Sequence, residues 1–322
     1  MSSKSETIVL EEYALRREVP FHEKFRVGLF RFIRHKPLGA FGGFIVILLL
    51  VMAIAPFLFT NQNPNPSPPP ILDRLQGPSS AHWFGTDQFG RDVYSRIIYG
   101  ARTSIIIGFM VVAVAAVLAS LIGTISGYFG GWVDIIAQRV VDIGIALPGL
   151  IFIILVVTTL TQFPPQFISD LLGLDPTGEV VFRIAVSLGV LVSLGSSRVI
   201  RGAAISAKQN VYVEAARVVG ASDIRIMTRN IFPNVFAVVL ISASIQIGGA
   251  ILTESALAFL GYGVQPPTAS WGRMLNEARE ALVRYPHLAI FPGMAIFLAV
   301  YSFNMFGDAL RDVLDPRLRG SR

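Results

Sequence analysis

Long apolar runs without a charged side chain constrain this chain more than any other feature. They cover residues 38–59, 105–125, 143–160, 235–253 and 288–307. A helix rises 1.5 Å per residue, so about 20 residues cross a hydrocarbon core about 30 Å thick. A sixth stretch, 180–200, carries Arg183 and Arg198 near its ends, where long side chains reach the headgroups. It counts as a span. Hydrocarbon offers no partner for an open backbone group, so runs of this length must be helices. The expected fold class is all-α: a polytopic membrane protein with six transmembrane helices. With 322 residues, 53% of them hydrophobic and 15% charged, the chain is too apolar for a soluble domain.

Charge then orients the spans. Of the 27 Lys and Arg residues, most lie in segments 1–37, 126–142, 198–234 and 308–322. Few lie in 60–100 and 261–287, and 161–179 has none. The positive-inside rule places both termini and the 201–234 loop in the cytoplasm. The domains expected are a cytoplasmic N-terminal segment (1–37), a first transmembrane helix (38–59) and an extracytoplasmic loop (60–100). A core of five spans (101–308) and a cytoplasmic tail (309–322) complete them. The net charge of +6 is a topology signal and points to no nucleic-acid partner, because the basic residues do not gather on one soluble domain. Residues 1–20 show no strong period. Segment 21–36 mixes Phe with Lys and Arg, either as an amphipathic helix on the inner membrane surface or as a plain topology signal. Ala53-Ile54-Ala55 imitates a signal cleavage site, but the preceding polar stretch is too long and Pro56 follows. No cysteine is present, which removes disulfides and Cys-ligated metals.

Between two apolar runs lies a polar island, 210–233. Asn210 is placed to cap a helix whose apolar positions Val211, Ala215 and Val218 share a face. Gly220 suits the left-handed residue that ends it. Ser222 or Asp223 is placed to cap a second helix, with Ile224, Met227 and Ile231 on one face, and Pro233 opens the next span. Glu214-Ala215-Ala216, three further residues, Gly220, then Ile231-Phe232-Pro233 resembles the EAA loop of ATP-binding-cassette (ABC) importer permeases, departing at Asn230 and Phe232. The resemblance implies the type I permease fold, with a cytoplasmic coupling helix that docks on the ATPase. It assigns that contact to Glu214, Ala215, Ala216, Gly220, Ala221, Ser222, Asp223, Ile231 and Pro233. On the residues alone, an ordinary amphipathic interhelical loop remains the alternative.

An external segment, Gly85-Thr86-Asp87-x-x-Gly90-Arg91-Asp92, is similar to one found in importer permeases for dipeptides, oligopeptides and nickel. There it sits near the mouth of the pathway; the acids with Arg91 also suit a local turn network. Further matches are Gly127-Tyr128-Phe129-Gly130-Gly131-Trp132-Val133-Asp134, the trio Arg139, Asp142 and Pro148, the run 254–263, and Asp308 to Arg317. Roughly residues 80–320 resemble the second, C-type, permease subunit of these heterodimeric importers. The partners implied are a second homologous permease, two cytoplasmic ABC ATPases, an extracytoplasmic solute-binding protein and the lipid bilayer. The location implied is the prokaryotic plasma membrane.

Glu254 near the outer end of its span either lines the pathway or makes a local helix-end or subunit contact. Asn304 either lines the pathway or bonds a neighbouring helix. Gly123, Gly127 and Gly131 have the small-xxx-small spacing of close helix packing. The histidines are scattered and define no metal site, and no spacing places a nucleophile beside a base. No Lys follows a Gly, so no phosphate-binding Gly-Lys-Ser/Thr loop exists. The chain is expected to be non-catalytic, with ATP and magnesium held by its partners. An ion-driven carrier would favour paired acids near mid-bilayer, and the span centres lack them. The cargo, whether dipeptide, oligopeptide, nickel or another small solute, is not legible.

Overall fold

The computed structural model describes residues 34, 36–160 and 162–314. The basic segment 21–33 and the tail beyond 314 lie outside them. The helices are α1 (Pro37–Ile54), α2 (Val93–Phe129), α3 (Gly131–Ala146), α4 (Gly149–Thr159), α5 (Gln166–Leu172) and α6 (Pro176–Lys208). They continue with α7 (Val211–Val218), α8 (Asp223–Ile226), a π turn at Met227–Ile231, α9 (Phe232–Phe259), α10 (Trp271–Ala278) and α11 (His287–Leu314). No sheet forms among the described residues; Thr86 and Asp92 make an isolated bridge.

Local chemistry sets these boundaries. Proline stands in the first turn of α1, α6 and α9, where its missing N–H costs nothing. Asp92 caps α2 by accepting from the Ser95 N–H at 2.8 Å, and Asp175 caps α6 through the Gly178 N–H at 2.7 Å. Gly130 and Gly131, at φ +67° and +51°, turn the chain from α2 into α3.

Five described helices, α1, α2, α6, α9 (with its lead-in from Asp223) and α11, are long and apolar enough to cross a membrane. The doubtful stretch at 180–200 belongs to a continuous helix of 33 residues. The apolar run 143–160 does not form one helix: α3 and α4 meet at 94°, the geometry of a broken span or a re-entrant pair. Pro148 is the cause: it lacks an N–H and clashes with the carbonyl four residues back, and it holds Leu147 extended at ψ 135°.

Small residues bring the spans together, as expected where lipid removes the hydrophobic drive between helices. A Cβ on Gly123 would lie 2.6 Å from the Ser197 carbonyl of α6, and one on Gly127 2.8 Å from that of Arg201. Gly131 breaks the expected trio: nothing lies within 4 Å of its Cβ position, and it serves the turn. Gly42 packs α1 on Ser302 of α11 in the same way. Lys36 and Asp312 pair at 2.5 Å, so the first and last spans begin and finish at one end of the bundle. The polar island 210–233 sits at that end, against the last turn of α2. Segments 60–92 and 260–286 gather at the opposite end, where α2 begins.

Candidate functional site

The 210–233 island is a helix-turn-helix knuckle. Asn210 is the N-cap of α7 by backbone, but its side chain accepts no hydrogen bond there. Its amide instead donates to the carbonyls of Ser206 and Ala207 at 3.3 and 3.0 Å, closing α6. Gly220 adopts φ +84°, and the following Ala221 N–H reaches back to the Ala216 carbonyl at 3.0 Å. Nothing lies within 4 Å of a Cβ built on Gly220, so glycine is needed for its dihedral and not for room. Ser222 is the extended N-cap of α8, without a side-chain bond. Pro233 opens α9.

Val211, Ala215 and Val218 do share a face of α7, and it points outward. Val211 and Val218 are 80% and 88% exposed, whereas Val213 is fully buried. Ile224 is likewise 71% exposed, while Ile226 and Ile231 are buried. On α7 the apolar stripe is therefore free surface, whereas the expected stripe of the second helix splits, Ile224 facing outward and Ile231 inward. Exposed apolar side chains grouped on a polar segment mark a protein contact. Glu214 lies exposed in the first turn of α7, where negative charge is favoured, and pairs with no described side chain. Ala216 and Ala221 are half-buried against the apolar cluster that holds Val213, Ile226 and Ile231.

Beside the knuckle, Arg201 of α6 makes a two-pronged pair with Asp134 of α3. Arg139 and Asp142 pair at 3.8 Å as their spacing predicts, yet Asp142 also holds Arg198 at 2.5 Å.

The external motif forms the local network that its acids and Arg91 suggest, and it reaches further. Asp87 accepts from the N–H groups of Phe89 and Arg91 at 2.8 and 3.0 Å, and from Arg91 Nε at 2.6 Å. Arg91 and Arg96 both donate to Glu277 of α10, at 2.7 and 3.1 Å. Arg96, 1% exposed, also donates to Asn65 of the linker. Gly85 and Gly90 are left-handed, and a Cβ on Gly90 would lie 1.9 Å from the Pro70 carbonyl. Asp92 adds a bond to His82 at 2.9 Å. Glu277 and Arg96 escape sequence reasoning because 181 residues separate them.

Glu254 is 0% exposed, inside α9 rather than at a wet interface. Ser104 of α2 and Ser270, the N-cap of α10, are fully buried as well. Their oxygens accept from the N–H groups of Trp271 and Arg273, at 3.2 and 3.3 Å, the first bond tying α10 to α2. Glu254 Oε2 accepts from the adjacent Ser255 hydroxyl at 3.4 Å, and Oε1 is buried without a hydrogen-bond partner among the described residues. Asn304 is half-buried and packs on Gly248 of α9. Ser196 and Gln246 link α6 to α9 at 2.9 Å, half-exposed near the middle of both spans. Among the described residues no group of His, Cys, Asp and Glu is arranged for a metal ion.

Residues 119–320 match the family described as the inner membrane component of binding-protein-dependent transport systems. The chain belongs to that family. It is 38% identical to a glutathione transport system permease protein of Pectobacterium atrosepticum, over 93% of this chain and 92% of the relative. Proteins of the same description from Escherichia coli O1:K1 and Shigella sonnei are 36% identical over 94% of the chain and 92% of their own length. The permease is thus a multi-pass plasma-membrane subunit of an ABC importer in the peptide and nickel group, and works with ATPase and binding-protein partners.

Proposed function

We propose that this permease forms half of a translocation pathway for di- and oligopeptides, that a second homologous permease supplies the other half, and that the 210–233 knuckle is its cytoplasmic contact with the ATPases. The outward apolar face of Val211, Ala215, Val218 and Ile224 around the left-handed Gly220 carries this reading. The start of α1 and the end of α11 lie at the knuckle's end of the bundle, and the concentration of Lys and Arg in the loop and toward both termini favours the cytoplasmic side for all three. The chain itself does no chemistry and holds no nucleotide: no Gly-Lys pair exists in it, so ATP and magnesium belong to the partner subunits. Peptide cargo is supported by the relatives named for glutathione, a tripeptide.

Gly220→Val tests the coupling role. A β-branched residue resists φ +84°, so the variant should insert normally, yet lose uptake and substrate-stimulated ATP hydrolysis. Normal uptake would overturn the role. Labelled tripeptide and labelled Ni²⁺, offered with the system's own binding protein, test the cargo. Uptake of nickel alone would overturn the peptide reading.

A further inference from the structure

We propose that Tyr128 is a positioning residue of the transport cycle, the joint that fastens both knuckle helices to α2. The inference rests on the knuckle being the ATPase-driven lever. Tyr128 is next to last in α2 and 2% exposed. Its hydroxyl donates to Asp223, the first residue of α8, at 2.5 Å. The guanidinium of Arg217, on α7, lies 5.6 Å from its ring centroid. The ammonium of Lys208, which ends α6, lies at the same distance and donates to the Tyr128 carbonyl at 2.6 Å. One residue therefore touches the segment entering the knuckle and both helices within it. Cations on the ring face and a carboxylate on the hydroxyl are the two partners a phenol accommodates and an aliphatic side chain does not. Among the buried residues of the surrounding apolar cluster, which are otherwise Ala, Val and Ile, Tyr128 is the one aromatic.

The position of this joint gives it a mechanical role. α2 and α6 are locked together by the close approach at Gly123 and Gly127. α7, by contrast, hangs between the link at 209–210 and the left-handed Gly220 with its outer face free, while α8 runs on through the π turn into α9. A push on that outer face is absorbed by flexing at those two points unless α7 is fixed to α8 and to the α2–α6 pair. Arg217 and Asp223 on Tyr128 do this. From Tyr128, α2 runs unbroken through 37 residues to its Asp92 cap and to Arg96, which holds Glu277 of α10 at the far end. Displacement of the knuckle then reaches the outer cluster through one helix.

The experiment uses the full transporter in proteoliposomes, with uptake and ATP hydrolysis both measured per assembled complex. Tyr128→Leu keeps apolar fill and loses every polar tie of the side chain. It should lower substrate imported per ATP on the order of tenfold while hydrolysis continues. Tyr128→Phe keeps the ring for Arg217 and Lys208 and should fall between Leu and wild type. Asp223→Ala should match Tyr128→Phe, and the two together should be no worse than either. An unchanged uptake-to-ATP ratio in Tyr128→Leu would overturn the assignment, as would an uptake loss fully accounted for by less assembled complex. If Tyr128→Leu fails to assemble, Tyr128→Phe and Asp223→Ala decide by the same ratio. Gly220→Val separates this inference from the reading beneath it: normal import there removes the lever itself. Loss of import there, with normal coupling in the Tyr128 variants, removes the assignment of Tyr128 alone.

Discussion

A guanidinium buried as deeply as that of Arg96 persists only because carboxylates meet it, and Glu277 is the nearer of the two that do. Glu277→Gln leaves Arg91 and Arg96 with Asp87 as their remaining carboxylate. Breaking a buried pair from one side costs about 3–5 kcal/mol, so the apparent unfolding temperature in detergent should fall sharply. Adding Arg96→Met should recover part of that loss, because the orphaned charge is then gone. Equal Tm values for wild type and Glu277→Gln would show that the pair contributes nothing. The near half of this cluster was legible, since Asp87 and Arg91 stand one helical turn apart and flank a glycine. The far half was not, because no local period links residue 96 to residue 277. Glu254 was legible as an ionisable group at membrane depth, but its complete burial depends on the packing of other elements, which no local pattern gives.

Helices in this bundle touch through glycine, and the touch is specific to position. At Gly123 the added Cβ of Ala meets the α6 backbone, so Gly123→Ala should force α2 from α6 and reduce the yield of folded protein. Gly195 has open space around it. There Ala should be neutral or stabilise by about 0.5–1 kcal/mol, because glycine loses more backbone freedom on folding. Thermal unfolding of the two purified variants checks the contrast, and equal shifts would contradict it. Five crossing helices were legible because charge-free runs of bilayer length leave few alternatives. The elbow between α3 and α4 was missed, although Pro148 and Gly149 stood in view, because run length counts residues and ignores direction. In the knuckle, the shared face of Val211, Ala215 and Val218 was legible, but not the side it presents. A period of 3.6 identifies a face, and only the packing of Val213, Ile226 and Ile231 decides which face is inward.

Across the whole molecule, two groups of buried polar contacts occupy opposite ends, joined by α2. At one end Tyr128 gathers the knuckle, and at the other Asp87, Arg91, Arg96 and Glu277 gather the linker and α10. An α2 of 37 residues is about 55 Å long, well beyond a hydrocarbon thickness of about 30 Å. Its ends therefore reach beyond the hydrocarbon on both sides, and a single rigid element spans the distance between ATPase contact and outer loops. The sidedness of that arrangement is the central claim. The chain has no cysteine, so Ser222→Cys, exposed at the tip of the knuckle, is the only thiol a probe meets. A membrane-impermeant maleimide should label it in inside-out vesicles, and less once the ATPases are bound, while intact cells stay unlabelled. Labelling from outside intact cells would place the knuckle on the wrong face and contradict the account.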